Sequence, residues 1–267
     1  MTDRGRYTAR VIRNTTLSPT ATMLVVEQPA GLVVAEPGAF VSFVSGEGGS
    51  PLLRRPYGIM DITDGAVSFI VKVVGPGSAW LARRNEGDTL DLLGPLGGRC
   101  FRAPDDGRAC FVAGGTGLAP MIFAARSWRR RGLLDRGVLL FGASCEGELM
   151  RSLLEHEFDE THLATMDGSA CYEGDVVSFL AKLLDDGADF GPNLYSCGPA
   201  GMVRALRKKA GAAFSVHETS LEAVMACGVG ACRGCTVPLA GTKRFAAVCS
   251  DGPVFDADAV DWEAWKR

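Results

Sequence analysis

Between residues 7 and 100, apolar positions come in short, β-branched and partly alternating runs, at 7–12, 23–27, 39–43, 67–74 and 89–93, each broken by Gly or Pro. Runs of that length and punctuation predict strands, and several in succession predict a small antiparallel barrel. From about residue 108 the pattern lengthens. A strand over 109–112 leads into a helix over 119–131, and a strand over 138–141 into a helix over 148–157. A helix over 176–184, a strand over 194–197 and a helix over 202–210 follow. Strands alternating with helices predict a parallel sheet with helices on its faces. The expected fold class is therefore a β barrel plus α/β, with domains at 1–103 and 104–216. The remainder, 217–267, is rich in Gly and Cys and too poor in apolar residues to build its own core. It predicts a third, small unit held by a metal cluster.

Composition narrows the classes. Hydrophobic residues make up 47% and charged residues 22% of the 267 positions, as in ordinary globular proteins. No apolar run approaches the ~18 residues a membrane helix needs, and the polar start lacks the apolar block of a secretory signal. These features predict a cytoplasmic protein with no membrane partner. A net charge of −3 and a single short basic run, Arg129-Arg130-Arg131, predict no nucleic-acid partner. Nine cysteines in such a chain are to be read for metal or redox chemistry rather than for disulfides.

Four of them carry a pattern. Cys227, Cys232 and Cys235 are separated by four and then two residues, and Cys249 follows thirteen residues later. That is the spacing of a plant-type [2Fe-2S] loop. Gly228, Gly230 and Gly234 would permit the tight turns that bring three thiolates together. Zinc is the rival ligand, although structural zinc usually takes two short Cys-x2-Cys pairs. Cys100, Cys110, Cys145 and Cys171 share no spacing and read as small buried hydrophobes.

Two junctions carry nucleotide chemistry. Gly114-Gly115-Thr116-Gly117 runs from an apolar strand into a helix that begins near Pro120, an arrangement that lets a pyrophosphate approach helix amides. The loop departs from G-x-G-x-x-G, so a structural turn is the competing reading. Cys197-Gly198-Pro199 repeats the strand, loop and helix order. Glu146, after the next strand, can accept hydrogen bonds from an adenosine ribose and repel a 2′-phosphate, which favours NADH over NADPH; it can equally begin a helix. In the barrel, Arg54-Arg55-Pro56-Tyr57-Gly58 and Gly75-Pro76-Gly77-Ser78 could bind a flavin pyrophosphate and cover a ring, or be surface turns.

Together these motifs resemble the ferredoxin-NADP reductase superfamily. With the cysteine loop last, and with Ser220-Leu221-Glu222, Met225-Ala226-Cys227-Gly228 and Asp251-Gly252-Pro253-Val254-Phe255, nearly the whole chain is similar to the electron-transfer subunits of type B dihydroorotate dehydrogenase. The resemblance implies an NAD-linked oxidoreductase subunit that binds FAD through Arg55, Pro56, Tyr57, Gly58, Ile70, Val71, Lys72, Gly77 and Ser78. It implies that the Gly114 loop and Cys197 frame the nicotinamide, and that Cys227, Cys232, Cys235 and Cys249 ligate the cluster. It further implies an FMN-containing partner subunit that oxidises dihydroorotate in pyrimidine biosynthesis, in a heterotetramer of two plus two chains. Gly58 departs from the family, which usually has a Ser or Thr hydroxyl there near the flavin. Two other readings stay open: a reductase subunit for a hydrogenase or oxygenase, and a non-catalytic redox sensor.

Overall fold

The computed structural model describes residues 4–48 and 50–265; the polar start at residues 1–3 lies outside the described residues. Strands β1 (Gly5–Ser18), β2 (Ala21–Glu27), β3 (Phe40–Phe43), β4 (Arg55–Thr63), β5 (Ala66–Lys72) and β6 (Thr89–Leu96) close into an antiparallel barrel in the order β1-β2-β5-β4-β3-β6. Alternation dictates which side chains fill it. Along β5, Val67, Phe69 and Val71 are fully buried and meet Val11, Leu24, Val41, Phe43 and Ile59, while Ser68, Ile70 and Lys72 face outward from the barrel axis. Each such burial contributes roughly 1.5–3 kcal/mol against leaving the side chain in water. Helix α1 (Pro76–Ala82) closes the end of the barrel beyond β5.

The second unit contains β7 (Arg108–Gly114), α2 (Leu118–Arg130), β8 (Arg136–Ala143), β9 (Glu160–Thr165), β10 (Tyr172–Glu173), α3 (Val176–Asp185), β11 (Asn193–Cys197), α4 (Ala200–Lys209) and β12 (Val216–Ser220). The sheet runs β10-β9-β8-β7-β11-β12-β15. Every pair is parallel except the last, in which β15 (Val254–Asp256) lies antiparallel to β12. From β7 the order proceeds one way to β8 and the other way to β11. That reversal opens a crevice at the carboxyl ends of the two strands.

One expected helix is absent. Residues 148–157 form no α-helix; instead there are 3-10 turns at Glu146–Glu148 and Arg151–Leu153, with Met150 between them at φ 46°. Leu149, Met150, Leu153, Leu154 and Phe158 are all buried in the core cluster shared with α2 and the sheet, at the spacing of one helix face, but the left-handed Met150 interrupts the helix between the two turns. Strands β9 and β12 were not expected either. β12 reads Val-His-Glu-Thr-Ser, and its Glu218 is 1% exposed. Arg99 Nη2 (2.7 Å), the Arg102 amide (3.0 Å) and Arg102 Nε (3.2 Å) satisfy that carboxylate. They come from the connection between barrel and sheet.

After β12 the chain leaves the sheet, forms the cysteine loop and the hairpin β13 (Thr236–Pro238) and β14 (Phe245–Ala247), and returns as β15. The hairpin packs on Phe40 and Leu96 of the barrel and on Val203 of α4, beneath Trp262 and Trp265. At the barrel–sheet contact, Asp61 of β4 receives Arg126 Nη1 (2.8 Å) and Arg130 Nη2 (2.9 Å) from α2, and Arg126 also pairs with Glu157. Among the described residues no helix is long and apolar enough to cross a membrane.

Candidate functional site

A cavity of about 550 Å³ opens between the barrel and the sheet. Arg55, Pro56, Tyr57 and Gly58 from β4 line it, with Ile70 and Lys72 from β5, the Gly75–Ser78 turn, Pro120 of α2 and Cys197 at the end of β11. Val71 is not among the lining residues. The two-residue period that turns Ile70 and Lys72 to the cavity turns Val71 into the barrel core.

The two neighbouring arginines have separate tasks. Arg54 turns away, donating to Asp91 Oδ1 (2.8 Å) and to the carbonyls of Ser42 and Asp91 (both 3.3 Å). Arg55 donates to the Leu53 carbonyl at 2.5 Å and has no carboxylate partner among the described residues. Its guanidinium lies against Gly77, where a Cβ would stand 3.4 Å from Arg55 Nε. Ser78 Oγ is occupied by its own turn, accepting from the Val74 (2.9 Å) and Gly75 (3.1 Å) amides. Burial pushes the Tyr57 phenol up to about 12 against the opposing charge of Arg55, so the ring stays neutral. An unpaired guanidinium beside a glycine turn, with Tyr57, Ile70 and Pro120 along the wall, fits a flavin and its diphosphate.

A second cavity of about 480 Å³ lies at the strand-order reversal, lined by Gly114, Gly115, Thr116, Pro199 and Met202, with Ser144, Met166 and Asp175 farther out. Gly117 and Gly198 do not line it; they bring its loops together. A Cβ on Gly198 would lie 3.1 Å from the Gly114 amide nitrogen, and φ there is +156°. Glu146 is not among the lining residues. Its carboxylate is exposed and pairs with Arg151 Nη2 at 3.1 Å, while its amide donates to Ser169 Oγ.

Lys72, Val74, Thr116 and Glu222 line both cavities, so the two volumes meet at one threshold. Cys197 stands beside it on the first cavity, and burial holds its thiol well above the ordinary range, hence protonated. In the sequence Glu222 stands out only as part of the Ser220-Leu221-Glu222 segment. Its carboxyl accepts from Thr116 Oγ1 at 3.3 Å. It is walled by protein yet open to the cleft, and that confinement raises its pKa, opposed by the Thr116 hydrogen bond. Glu148, which belongs to no local motif, and Met225, which stands in the Met225-Ala226-Cys227-Gly228 segment, also line the site.

From Glu222 the chain runs five residues to Cys227. Met225 lines the first cavity and packs with Cys235 and Cys249 in the hydrophobic cluster below it. In the loop itself, Gly228 (φ 70°), Gly230 (φ 83°) and Arg233 (φ 57°) take left-handed conformations; Gly234, expected to do so, does not. These turns aim amides at sulfur. Cys227 Sγ accepts from Cys232 N (3.4 Å) and Val229 N (3.5 Å), and Cys249 Sγ accepts from Gly230 N (3.1 Å). Those amides bring the Cys227 thiol down to about 6, whereas burial raises that of Cys249. Four cysteines with N–H···S donors at Cys227 and Cys249 are the donor chemistry a [2Fe-2S] cluster takes, although among the described residues the thiols do not converge as a ready-made metal site.

The iron-sulfur cluster binding domain of dihydroorotate dehydrogenase B matches residues 222–261. The dihydroorotate dehydrogenase B (NAD(+)) electron transfer subunit of Geobacillus kaustophilus is 37% identical over 233 residues, 84% of this chain and 86% of the relative. That of Desulforamulus reducens is 31% identical over 96% of this chain and 98% of its own length. Among solved structures, one of an NADH-dependent reduced ferredoxin-NADP oxidoreductase, described for flavin-based electron bifurcation, superposes with a TM-score of 0.81 at 27% identity, covering 96% of this chain and 90% of that one. With identity above 30% over most of the length of both chains, the chain belongs to the family of electron-transfer subunits of dihydroorotate dehydrogenase B.

Proposed function

We propose that the first cavity holds FAD, the second holds NAD(H), and Cys227, Cys232, Cys235 and Cys249 hold a [2Fe-2S] cluster, so that the chain moves electrons between NAD and a catalytic partner subunit. When bound, FAD supplies the exchange between two-electron and one-electron chemistry, and the cluster supplies one-electron carriage. The residues position these groups. Arg55 and the turn at Gly77 and Ser78 meet a diphosphate; Tyr57, Gly58 and Ile70 bound a flat ring; Cys197 and Thr116 stand where a nicotinamide would enter. The observation that carries the reading is the segment Glu222–Cys227, which passes from the shared threshold of the cavities straight to the first cluster ligand.

The partner is a dehydrogenase subunit carrying FMN, assembled as two plus two chains and oxidising dihydroorotate in pyrimidine biosynthesis. The described residues show no separate substrate domain. On the cluster loop, Cys232 and Val229 are exposed, and residues 223–250 include no Asp or Glu. An apolar, uncharged-to-basic face of this kind suits a protein partner. We assign the cytoplasm, where nine free cysteines stay reduced. We divide the chain as 1–103, 104–216 and 217–267, with the last segment lending β15 to the sheet. The likeness to a ferredoxin-linked oxidoreductase favours a second reading, in which the acceptor is a different iron-sulfur protein.

The test is purification of the chain from its native cells followed by cofactor analysis. Co-purification of an FMN protein with dihydroorotate-dependent NAD reduction is expected. NADH oxidation with an artificial acceptor but no FMN partner would favour the second reading, and no NADH oxidation at all would leave a redox sensor.

A further inference from the structure

Lys72, at the end of β5, occupies the threshold between the cavities. Its Nζ lies 3.3 Å from Oε2 of Glu148, which belongs to the 3-10 turn after β8. The same oxygen accepts from Thr20 Oγ1 at 2.7 Å and Ser18 Oγ at 3.4 Å. A carboxylate from the sheet unit, 13% exposed, is thus held by three groups of the barrel. Those partners, the Thr20 hydroxyl foremost, keep Glu148 below the usual carboxylate range and therefore charged at neutral pH.

The charge inventory of the second cavity is lopsided. Among the described residues that line it, Lys72 is the only cation, against Glu148, Asp175 and Glu222. Asp175 is committed to the N-terminus of α3, accepting from the Val177 (3.0 Å) and Ser178 (2.9 Å) amides. The glycine loop offers amides but no full charge. A dinucleotide would bring a doubly charged pyrophosphate into this volume, and a single ammonium then faces two claimants.

We propose that Lys72 is the cation that receives the dinucleotide pyrophosphate, and that Glu148 competes with that anion for it and so sets dinucleotide affinity. The inference rests on the reading that the second cavity takes NAD(H). It moves Lys72 from the flavin, where the family resemblance had put it, to the dinucleotide. It also gives the contact between barrel and sheet a function: while the cavity is open, Glu148 neutralises Lys72, and an entering pyrophosphate must displace it. Glu148→Gln keeps the shape and a hydrogen-bond acceptor for Thr20 and Ser18 while removing the charge.

The test is calorimetric titration of the FAD-loaded, cluster-loaded chain with ADP-ribose and NAD⁺, with adenosine as a probe that lacks the pyrophosphate. Glu148→Gln is expected to tighten ADP-ribose and NAD⁺ about ten-fold, and Lys72→Met to weaken them about ten-fold, with Lys72→Arg close to the parent and adenosine unmoved in all three. The effect of Glu148→Gln should shrink when Lys72→Met is already present. Binding of ADP-ribose that is unchanged or weaker in Glu148→Gln overturns the inference, and a drop in melting temperature without tighter binding would reveal a structural latch only. Loss of FAD, with dinucleotide affinity retained, in Lys72→Met would return the lysine to the flavin and overturn it as well. A parent protein that binds neither ADP-ribose nor NAD⁺ would instead bring down the reading of the cavity on which the inference stands.

Discussion

Gly117, at the start of α2, passes so close to Cys197 that a Cβ on it would lie 2.1 Å from the Cys197 carbonyl oxygen. That contact locks the glycine loop to the loop after β11, and the crevice between them is the second cavity. Gly117→Ala must push these loops apart, at a cost of about 1–3 kcal/mol or more. Gly115 has open space around its Cβ position and only a positive φ of 55°, so Gly115→Ala should cost about 1 kcal/mol. Thermal melting should separate the two variants, and NAD⁺ titration should show binding lost in Gly117→Ala alone. Equal melting temperatures would contradict the close packing.

Cys249 is 1% exposed and lies two residues beyond β14, whereas Cys227 lies on an open loop. Cys249→Ser should leave the barrel and its FAD intact while abolishing stable cluster assembly. Iron and sulfide analysis beside the flavin spectrum reads this directly. Undiminished iron would remove Cys249 from the ligand set.

Gly58 carries no hydroxyl toward the first cavity, and a Cβ there would meet only Pro120 Cδ at 3.7 Å. Gly58→Ser is therefore expected to fold and bind FAD normally. A new hydrogen bond of about 1–1.5 kcal/mol to the reacting ring would raise the rate of flavin reduction by NADH about ten-fold. Stopped-flow reduction measures it, and an unchanged rate would mean that backbone or water already fills the role.

Arg126 joins Asp61, whose side chain is 7% exposed, to Glu157, whose side chain is 17% exposed. Arg126→Met strands Glu157 and leaves Asp61 to Arg130 alone. Breaking a buried pair of this kind costs roughly 3 kcal/mol, or about 6–12 °C in melting temperature for a chain of this size. Differential scanning calorimetry should record a single lowered transition if barrel and sheet unfold together.

His217 is enclosed between β11 and the turn after β15, with Nε2 at 2.9 Å from Ser196 Oγ and no partner for Nδ1. Burial lowers its pKa to about 4, because a second ring proton would find no acceptor. The unfolded chain binds that proton near pH 6.5, so between those values the unfolded state holds more protons and stability falls as pH falls. From pH 7 to pH 5 the loss from this residue is about 2 kcal/mol. Urea midpoints measured across that range should flatten in His217→Asn.

Local patterns carried much of this molecule into view. The glycine loop and three of the four cluster cysteines are chain-local, the cysteines within nine residues, so their chemistry can be read before any fold exists. Strand and helix alternation likewise anticipates five of the six barrel strands and the three central strands of the sheet, β8, β7 and β11. Where local pattern misleads, a distant partner is responsible. Residues 148–157 carry apolar side chains at helical spacing, but the left-handed Met150 breaks the helix and Glu148 is drawn to Thr20 and Lys72. β12 looks like a polar loop because the arginines that neutralise Glu218 lie more than a hundred residues earlier.

By itself, then, the sequence determined the class of fold and the iron-sulfur character of the C-terminal segment, since these depend on residue type and short spacing. Only the tertiary structure decided that Val71 serves the barrel core while Lys72 faces the threshold. It alone turned Glu146 away to Arg151, brought Glu222 between the cavities and made Glu148 the partner of Lys72. Those assignments depend on which elements pack together and on the charges that meet where they touch, and neither is encoded in any one segment.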